Sequence, residues 1–382
     1  MIRITVRPRR PPAETCDIRI GRGLGPRISV DLRRRRIGQR YIIVTDSHLH
    51  RRGETLLGAF RRRGLPADLI SFPAGEGSKS RRVRDEIEDG IIALGAGRDA
   101  ALVGLGGGVV GDLVGFVAAT FKRGVPYVLV PTTLIGMVDA AIGGKTGINH
   151  AAGKNLIGAF HHPVAVYIDL DHLKTLPPRH FVAGLAEVIK YATIADRSLF
   201  AFLERRLDRI LARDAESLSP VIEACCRIKA RVVSQDPRES NRRKILNYGH
   251  TIGHAIEVLS GYRLAHGEAV AIGMVAEARL AVRLGLLAPE AAARIERLVE
   301  GAGLPTALPP AVLPEDLLKV ARHDKKNRAG ATIYVLPSRL GSMASLTGEY
   351  GIPVPDAVVL EVLQYLKRPR PRARALAAPT AV

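Results

Sequence analysis

Residues 101–154, ALVGLGGGVVGDLVGFVAATFKRGVPYVLVPTTLIGMVDAAIGGKTGINHAAGK, decide the fold. Ala101 to Leu105 is an apolar, strand-like run that breaks into Gly106, Gly107 and Gly108, and a helical pattern resumes at Gly111. Strand, glycine turn and helix together bring bare backbone N–H groups and a helix N-terminus against a pyrophosphate. The spacing Gly106, Gly108, Gly111 fits the loose dinucleotide pattern, which many purely structural turns also satisfy. The sequel adds weight. A second apolar strand, Tyr127 to Val130, ends in Pro131-Thr132-Thr133, and lysines stand in two further glycine-bearing loops, at Lys145 and Lys154. Phosphate ligands want that combination. At Gly107 and Gly108 a side chain would intrude where backbone meets pyrophosphate, and a positive φ there would add strain.

Around this stretch the first half of the chain alternates. Tyr41 to Thr45 predicts a strand, Glu54 to Arg63 a helix, Asp68 to Phe72 a strand and Ser80 to Leu94 a helix. That rhythm implies an α/β architecture, a parallel sheet with helices on both faces. Its ligand crevice lies beyond the carboxyl ends of the strands, where Asp46 and Gly75-Glu76-Gly77-Ser78-Lys79 fall. After Leu176-Pro177-Pro178 the texture turns helical. Ala183 to Leu203, Leu218 to Val233, Ile252 to Leu259, Glu268 to Leu284 and Pro289 to Gly301 all read as helices with short connectors. A mostly helical second domain is expected, with the boundary near Pro178.

The helical half carries three histidines, in Asn247-Tyr248-Gly249-His250-Thr251-Ile252-Gly253-His254 and in His266-Gly267-Glu268. His250 and His254 share a helix face, so a metal could bridge them, with His266 or Glu187 as a third ligand. The plain alternative is one capping and one buried histidine. Glu187 and Lys190 are i, i+3 neighbours in an otherwise apolar helix, where a carboxylate is costly unless paired or metal-bound. Lys229, Arg243, Lys244 and Asp324-Lys325-Lys326 add cations that, with Lys145, Lys154 and Lys190, suit a substrate bearing a phosphate and a carboxylate.

Composition narrows the classes. The 382 residues are 47% hydrophobic and 25% charged, a globular balance, and can hold two domains. Aromatics are 4% and Trp is absent, which speaks against base- or sugar-stacking surfaces. No apolar run reaches the roughly 18 residues of a membrane span, and MIRITVRPRRPP lacks the apolar core of a signal peptide. Three cysteines, two of them adjacent (Cys225, Cys226), make no disulfide framework, and a cytoplasmic location is expected. The net charge of +20 gathers in Arg33 to Arg36, Arg61 to Arg63 and Lys367-Arg368-Pro369-Arg370-Pro371-Arg372. Clustered basic charge can bind nucleic acid through counterion release, but these runs lie outside the motif-rich centre and no nucleic-acid partner is expected.

The chain resembles the 3-dehydroquinate synthase family of sugar-phosphate cyclases from about Asp46 to Lys326. The resemblance rests on Gly106 to Asp112, Pro131-Thr132-Thr133-Leu134, Gly143 to His150, Gly153-Lys154-Asn155, Lys174-Thr175-Leu176-Pro177, Gly184 to Lys190, Asn247 to Glu257 and His266-Gly267-Glu268-Ala269. It implies a Rossmann-like NAD-binding α/β domain over residues 1–178, a mostly helical metal and substrate domain over 179–368, and a disordered basic tail over 369–382. The family's ligands for one divalent metal, zinc or cobalt, fall on Glu187, His250 and His266, which moves His254 to the substrate side. Its NAD positions fall on Asp46, Glu76, Lys79, Gly107, Gly108, Asp112, Thr132, Thr133, Asp139, Lys145, Lys154 and Thr175. Its substrate and catalytic positions fall on Lys145, Asn155, Lys190, Lys229, Arg243, Asn247, His254 and one of Lys325 and Lys326. Arg123 matches an arginine that the family supplies from a neighbouring subunit, so a homodimer is implied.

The reaction implied by the resemblance converts 3-deoxy-D-arabino-heptulosonate 7-phosphate to 3-dehydroquinate and phosphate. It passes through transient oxidation at C5, loss of phosphate, return of the hydride and intramolecular aldol closure, the second step of the shikimate pathway. Sibling cyclases acting on sedoheptulose 7-phosphate typically have alanines before the lysine matching Lys145, aspartate at position 247 and proline at position 254. This chain has Gly143-Gly144, Asn247 and His254. A metal-dependent polyol or glycerol-phosphate dehydrogenase shares the architecture but needs fewer anion-binding residues. The Arg-rich segment before Tyr41 and the tail after Leu366 have no counterpart in the resemblance.

Overall fold

The computed structural model describes residues 15–322 and 332–367. The N-terminal run, the Asp324-Lys325-Lys326 triplet and the basic tail lie outside the described residues. The chain divides into two compact units. One runs to Gly184 and adds Asp208–Pro237, and the other comprises Leu185–Leu207 and the chain from Arg238 onward.

The first unit is built on a six-stranded, all-parallel sheet with strand order β1-β8-β5-β4-β2-β3. Its strands are β1 (Asp17–Gly21), β2 (Arg40–Asp46), β3 (Ala67–Phe72), β4 (Ala100–Gly106), β5 (Tyr127–Pro131) and β8 (Ala165–Asp169). Helices α1 (Gly25–Arg34), α2 (His50–Arg61), α3 (Arg81–Ala93) and α4 (Gly108–Thr120) supply the crossovers. β4 and β5 are buried along their whole lengths, as strands covered on both faces must be. One core layer joins Ile28 and Leu32 of α1 and Leu56 and Phe60 of α2 to Tyr41, Ile43, Val103, Val128 and Tyr167 of the sheet. The chain leaves β2 toward β3 and leaves β4 toward β5, in opposite directions across the sheet. The crevice between β2 and β4 is therefore the topological switch point, where such sheets bind ligands.

The glycine-bearing segments of Lys145 and Lys154 are not loops. They pair as an antiparallel hairpin, β6 (Lys145–His150) with β7 (Gly153–Phe160), packed against α4. Glycine reads as a loop signal, but here it permits close strand approach: a Cβ at Gly158 would come within 2.0 Å of the Thr146 carbonyl oxygen.

Helices continue as α5 (Pro178–Ala195), α6 (Arg197–Leu211), α7 (Ala215–Gln235), α8 (His250–Leu259), α9 (His266–Arg283), α10 (Pro289–Gly301), α11 (Pro314–Arg322) and α12 (Asp356–Lys367). The single helix expected over Ala183 to Leu203 is two. Asp196 interrupts it by accepting the N–H groups of Ser198 and Leu199, capping α6. α7 returns to the first unit, where it packs on β1 and on the turn Gly136–Ala140. In the second unit α8 and α9 are the most closely packed helix pair, with α10, α11 and α12 around them. Gly273 lets them meet, since a Cβ there would lie 2.0 Å from the Gly249 carbonyl oxygen. Among the described residues no helix is long and apolar enough to cross a membrane.

Candidate functional site

In the first unit the candidate cofactor residues gather at the carboxyl edge of the sheet. Asp46 ends β2, Glu76 and Lys79 follow β3, Gly106 ends β4, Thr132 and Thr133 follow β5, and Thr175 follows β8. Gly107 caps α4 with φ −82°, and neither it nor Gly108 has a positive φ, so strain is not what requires glycine there. Space is. A Cβ on Gly106 would meet Val110 Cγ2 at 2.3 Å, one on Gly107 would meet Thr133 Cγ2 at 3.2 Å, and one on Gly108 would meet Ala140 Cβ at 3.5 Å. The β4 and β5 turns are tied by Thr132 N–H donating to the Gly106 carbonyl at 3.0 Å. A cleft lined by Gly106, Gly107, Gly108, Gly136 and Ala140 thus offers bare backbone at the start of a 13-residue helix. Those residues fit the pyrophosphate of a dinucleotide.

Polar side chains beside the cradle form a closed network. The Lys79 ammonium, 5% exposed, donates to Asp112 Oδ2 at 2.6 Å and to Asn155 Oδ1, and lies 3.7 Å from Glu76 Oε1. Asn149, to which the resemblance assigns no role, joins the network by donating to Glu76 and accepting from the Asn155 N–H. Asp46 accepts His48 N–H at 3.0 Å, and Thr175 accepts from Arg52, which also contacts His172. Lys229 on α7 is buried and spends its ammonium on the carboxylate and carbonyl of Asp139, at 2.6 and 2.5 Å. Arg123 is exposed on the turn after α4. Both it and Lys122 are left-handed, with φ of 70° and 51°, which is uncommon for residues bearing side chains.

The second unit brings together Glu187, His250 and His266. Their ligand atoms lie within 4.8 Å of one another, and both histidine Nε2 atoms are 3.6 Å from Glu187 Oε1. Two ligand atoms each about 2.1 Å from a tetrahedral metal stand about 3.4 Å apart, so the spacing fits a shared divalent ion. Burial argues the same way. Glu187 is fully buried; its Oε2 is paired with the Lys190 ammonium, while Oε1, the oxygen that faces both histidines, has no hydrogen-bond partner. The outer nitrogens are occupied as ligand histidines require. His250 Nδ1 faces the Tyr248 carbonyl at 3.1 Å and His266 Nδ1 faces Glu257 Oε2 at 3.4 Å.

The two imidazoles differ in charge preference. Burial, reinforced by the Lys190 cation, holds His250 well below the ordinary histidine range, so it is neutral and ready to ligate. Burial opposes charge on His266 too, but the facing carboxylates of Glu187 and Glu257 outweigh it and raise the imidazole to about 9. His254 is on the exposed side of the cluster, its ring 5.4 Å from that of His250 and 6.0 Å from that of His266. It belongs to a second grouping with Glu257 and His266, so the i, i+4 pair alone does not define the ligand set. Lys190 and Arg243 are buried, and Asn247 donates to Glu239 at 2.6 Å. Glu257 was within reach of the sequence only as one of two acidic residues, with Glu268, in the stretch that carries the histidines. No spacing rule pointed to it.

Comparison with known proteins gives the relationship. The 3-dehydroquinate synthase N-terminal family profile matches residues 69–183 and the C-terminal profile matches 184–327. The 3-dehydroquinate synthase of a Synechococcus species is 48% identical over 336 residues, covering 87% of this chain and 90% of that protein. Among solved structures, a 2-epi-5-epi-valiolone synthase from Streptomyces hygroscopicus with NAD+ and Zn2+ bound superposes with TM-score 0.85 at 28% identity, covering 95% of this chain and 99% of that one. A 2-deoxy-scyllo-inosose synthase complexed with carbaglucose-6-phosphate, NAD+ and Co2+ gives 0.84 at 28% identity, with coverage of 91% and 96%. Sequence matches through both units and a shared fold lead to one relationship: the chain belongs to the 3-dehydroquinate synthase family.

Proposed function

We propose that the chain catalyses the carbocycle-forming elimination of phosphate from 3-deoxy-D-arabino-heptulosonate 7-phosphate to give 3-dehydroquinate, as a cytoplasmic homodimer. The observation that carries the chemistry is the buried triad Glu187, His250 and His266, with a carboxylate oxygen, Oε1, that faces both imidazoles and has no hydrogen-bond partner, and two histidines whose outer nitrogens are already engaged. These residues would hold one divalent metal, zinc or cobalt, which as a Lewis acid lowers the pKa of a bound hydroxyl. The glycine cradle, with Asp46, Glu76, Lys79, Asp112, Thr132, Thr133, Asp139, Lys145, Lys154 and Thr175, would hold NAD+, which takes up and later returns one hydride.

The chain's own residues bind and orient. Lys145, Asn155, Lys190, Lys229, Arg243, Asn247 and His254, together with Lys325 or Lys326, are the groups assigned to the substrate's phosphate, carboxylate and hydroxyls. Cations fixed in a buried setting hold an anionic substrate in one pose and stabilise developing charge without rearranging. Lys190 and Arg243, 1% and 2% exposed, are of that kind. Gly143-Gly144, Asn247 and His254 favour the heptulosonate substrate over that of the sedoheptulose-using siblings.

The deciding experiment measures phosphate release from the heptulosonate phosphate with catalytic NAD+, with and without a chelator. Many turnovers per NAD+, abolished by chelation and restored by metal, are expected. Sustained NADH accumulation at 340 nm would instead make the chain a simple dehydrogenase.

A further inference from the structure

Asn149 stands where the β6–β7 ladder is interrupted. Ile148 pairs with Ile157, but the next pair is His150 with Gly153, so Lys154, Asn155 and Leu156 bulge opposite the single residue Asn149. Bulges redirect side chains and are held by specific contacts. This one carries Lys154 and Asn155, and Asn155 is left-handed at φ 55°. The Asn149 side-chain oxygen accepts the Asn155 backbone N–H at 3.0 Å. Its side-chain nitrogen donates to Glu76 Oε1 at 2.8 Å, and its own N–H donates to the Lys79 carbonyl at 2.8 Å. Lys79 closes the ring by reaching Asn155 Oδ1.

We infer that Asn149 is a positioning residue that fixes the Lys154–Asn155 bulge and the Glu76 carboxylate in one arrangement, coupling the NAD+ cradle to the substrate-binding asparagine. The inference rests on the cradle reading given above. Its logic is that of the amide, one acceptor and two donors. The acceptor supports a backbone conformation with a conformational cost, and a donor orients a carboxylate that is 45% exposed and otherwise held only by the Lys79 ammonium 3.7 Å away. An aspartate at 149 keeps the acceptor for Asn155 but sets two carboxylates against each other. A glutamine at 76 would then restore the pair with donor and acceptor exchanged.

Calorimetric NAD+ binding to the full chain, with kcat and KM for the heptulosonate phosphate alongside, tests this. Asn149→Ala should weaken NAD+ about tenfold and raise the substrate KM more than it lowers kcat. Asn149→Asp should weaken NAD+ further, and Asn149→Asp with Glu76→Gln should bind several-fold more tightly than Asn149→Asp alone, a non-additivity that general loss of stability would not produce. If wild type binds NAD+ and the Asn149 variants match it, or if Glu76→Gln gives no rescue, the inference is overturned while the cradle reading stands. If wild type itself fails to bind NAD+, the cradle reading falls and takes the inference with it.

Discussion

Glu257 faces His266, with carboxylate Oε2 3.4 Å from Nδ1, and thereby leaves Nε2 of the same ring turned toward Glu187. A carboxylate at that distance fixes the ring orientation and selects the tautomer, and it makes the ligating nitrogen more basic. Glu257→Ala should therefore weaken metal binding by about 10- to 100-fold although Glu257 is not itself assigned as a ligand. Competition with a chelator of known affinity measures this. Unchanged affinity would show that the contact is incidental to the metal.

His266→Ala should lose both metal and turnover while the fold survives, because two remaining ligands hold a catalytic metal poorly. It is a cleaner probe than Glu187→Ala, which also takes the buried Lys190 ammonium's carboxylate partner away. Metal content by atomic emission and far-ultraviolet circular dichroism give the two readouts. Stoichiometric metal with normal activity would remove His266 from the ligand set.

Metal uptake should be strongly pH-dependent. With its imidazole raised to about 9, His266 is protonated in the metal-free protein at neutral pH, and the metal must displace that proton. His250, held well below the usual range, adds no such cost. Apparent affinity should rise about tenfold per pH unit as the pH approaches 9 and level off above it. Calorimetry in buffers of different ionisation enthalpy should register close to one proton released per metal at pH 7. A flat affinity profile from about pH 6.5 to 8.5 would contradict the charged state assigned to His266.

The glycines of the cradle should separate fold from function. Gly106→Ala drives a Cβ to 2.3 Å from Val110 and should destabilise the first unit, typically by about 1–3 kcal/mol. At Gly108 a Cβ meets only an ordinary contact with Ala140 at 3.5 Å. Gly108→Val should therefore stay folded, yet weaken NAD+ far more than it weakens the phosphate ester. Thermal melts and calorimetry distinguish the two. Wild-type NAD+ affinity in Gly108→Val would place the pyrophosphate elsewhere.

Arg123, exposed on its left-handed turn, should act in the neighbouring subunit's site, where a bidentate guanidinium suits a phosphate or carboxylate. Mixing inactive Arg123→Ala with inactive His266→Ala chains should then restore activity. Random pairing makes about half the dimers mixed, each with one intact site, so recovery should approach about a quarter of wild-type site number. No recovery despite demonstrated subunit exchange would put Arg123 in its own subunit's site or in none.

The α/β alternation, the glycine turn after the strand at Ala101 and the cationic residues are legible in the chain, because each is written in local period and residue type. Motif order also carried the family and with it the reaction. The remainder depends on contacts that exist only in the folded chain. Spacing favoured His250 with His254, but the approach of α5, α8 and the start of α9 sets Glu187 beside His250 and His266, residues separated by up to 79 positions. No local pattern encodes that meeting. The glycine-bearing segments at Lys145 and Lys154 read as loops in one dimension and prove to be paired strands in three, since only the partner strand shows why a Cβ at Gly147 has no room. Glu257 and Asn149 were legible as residues but not as roles. A second-layer group acts through the orientation it imposes on another side chain, and orientation exists only once the chain has folded.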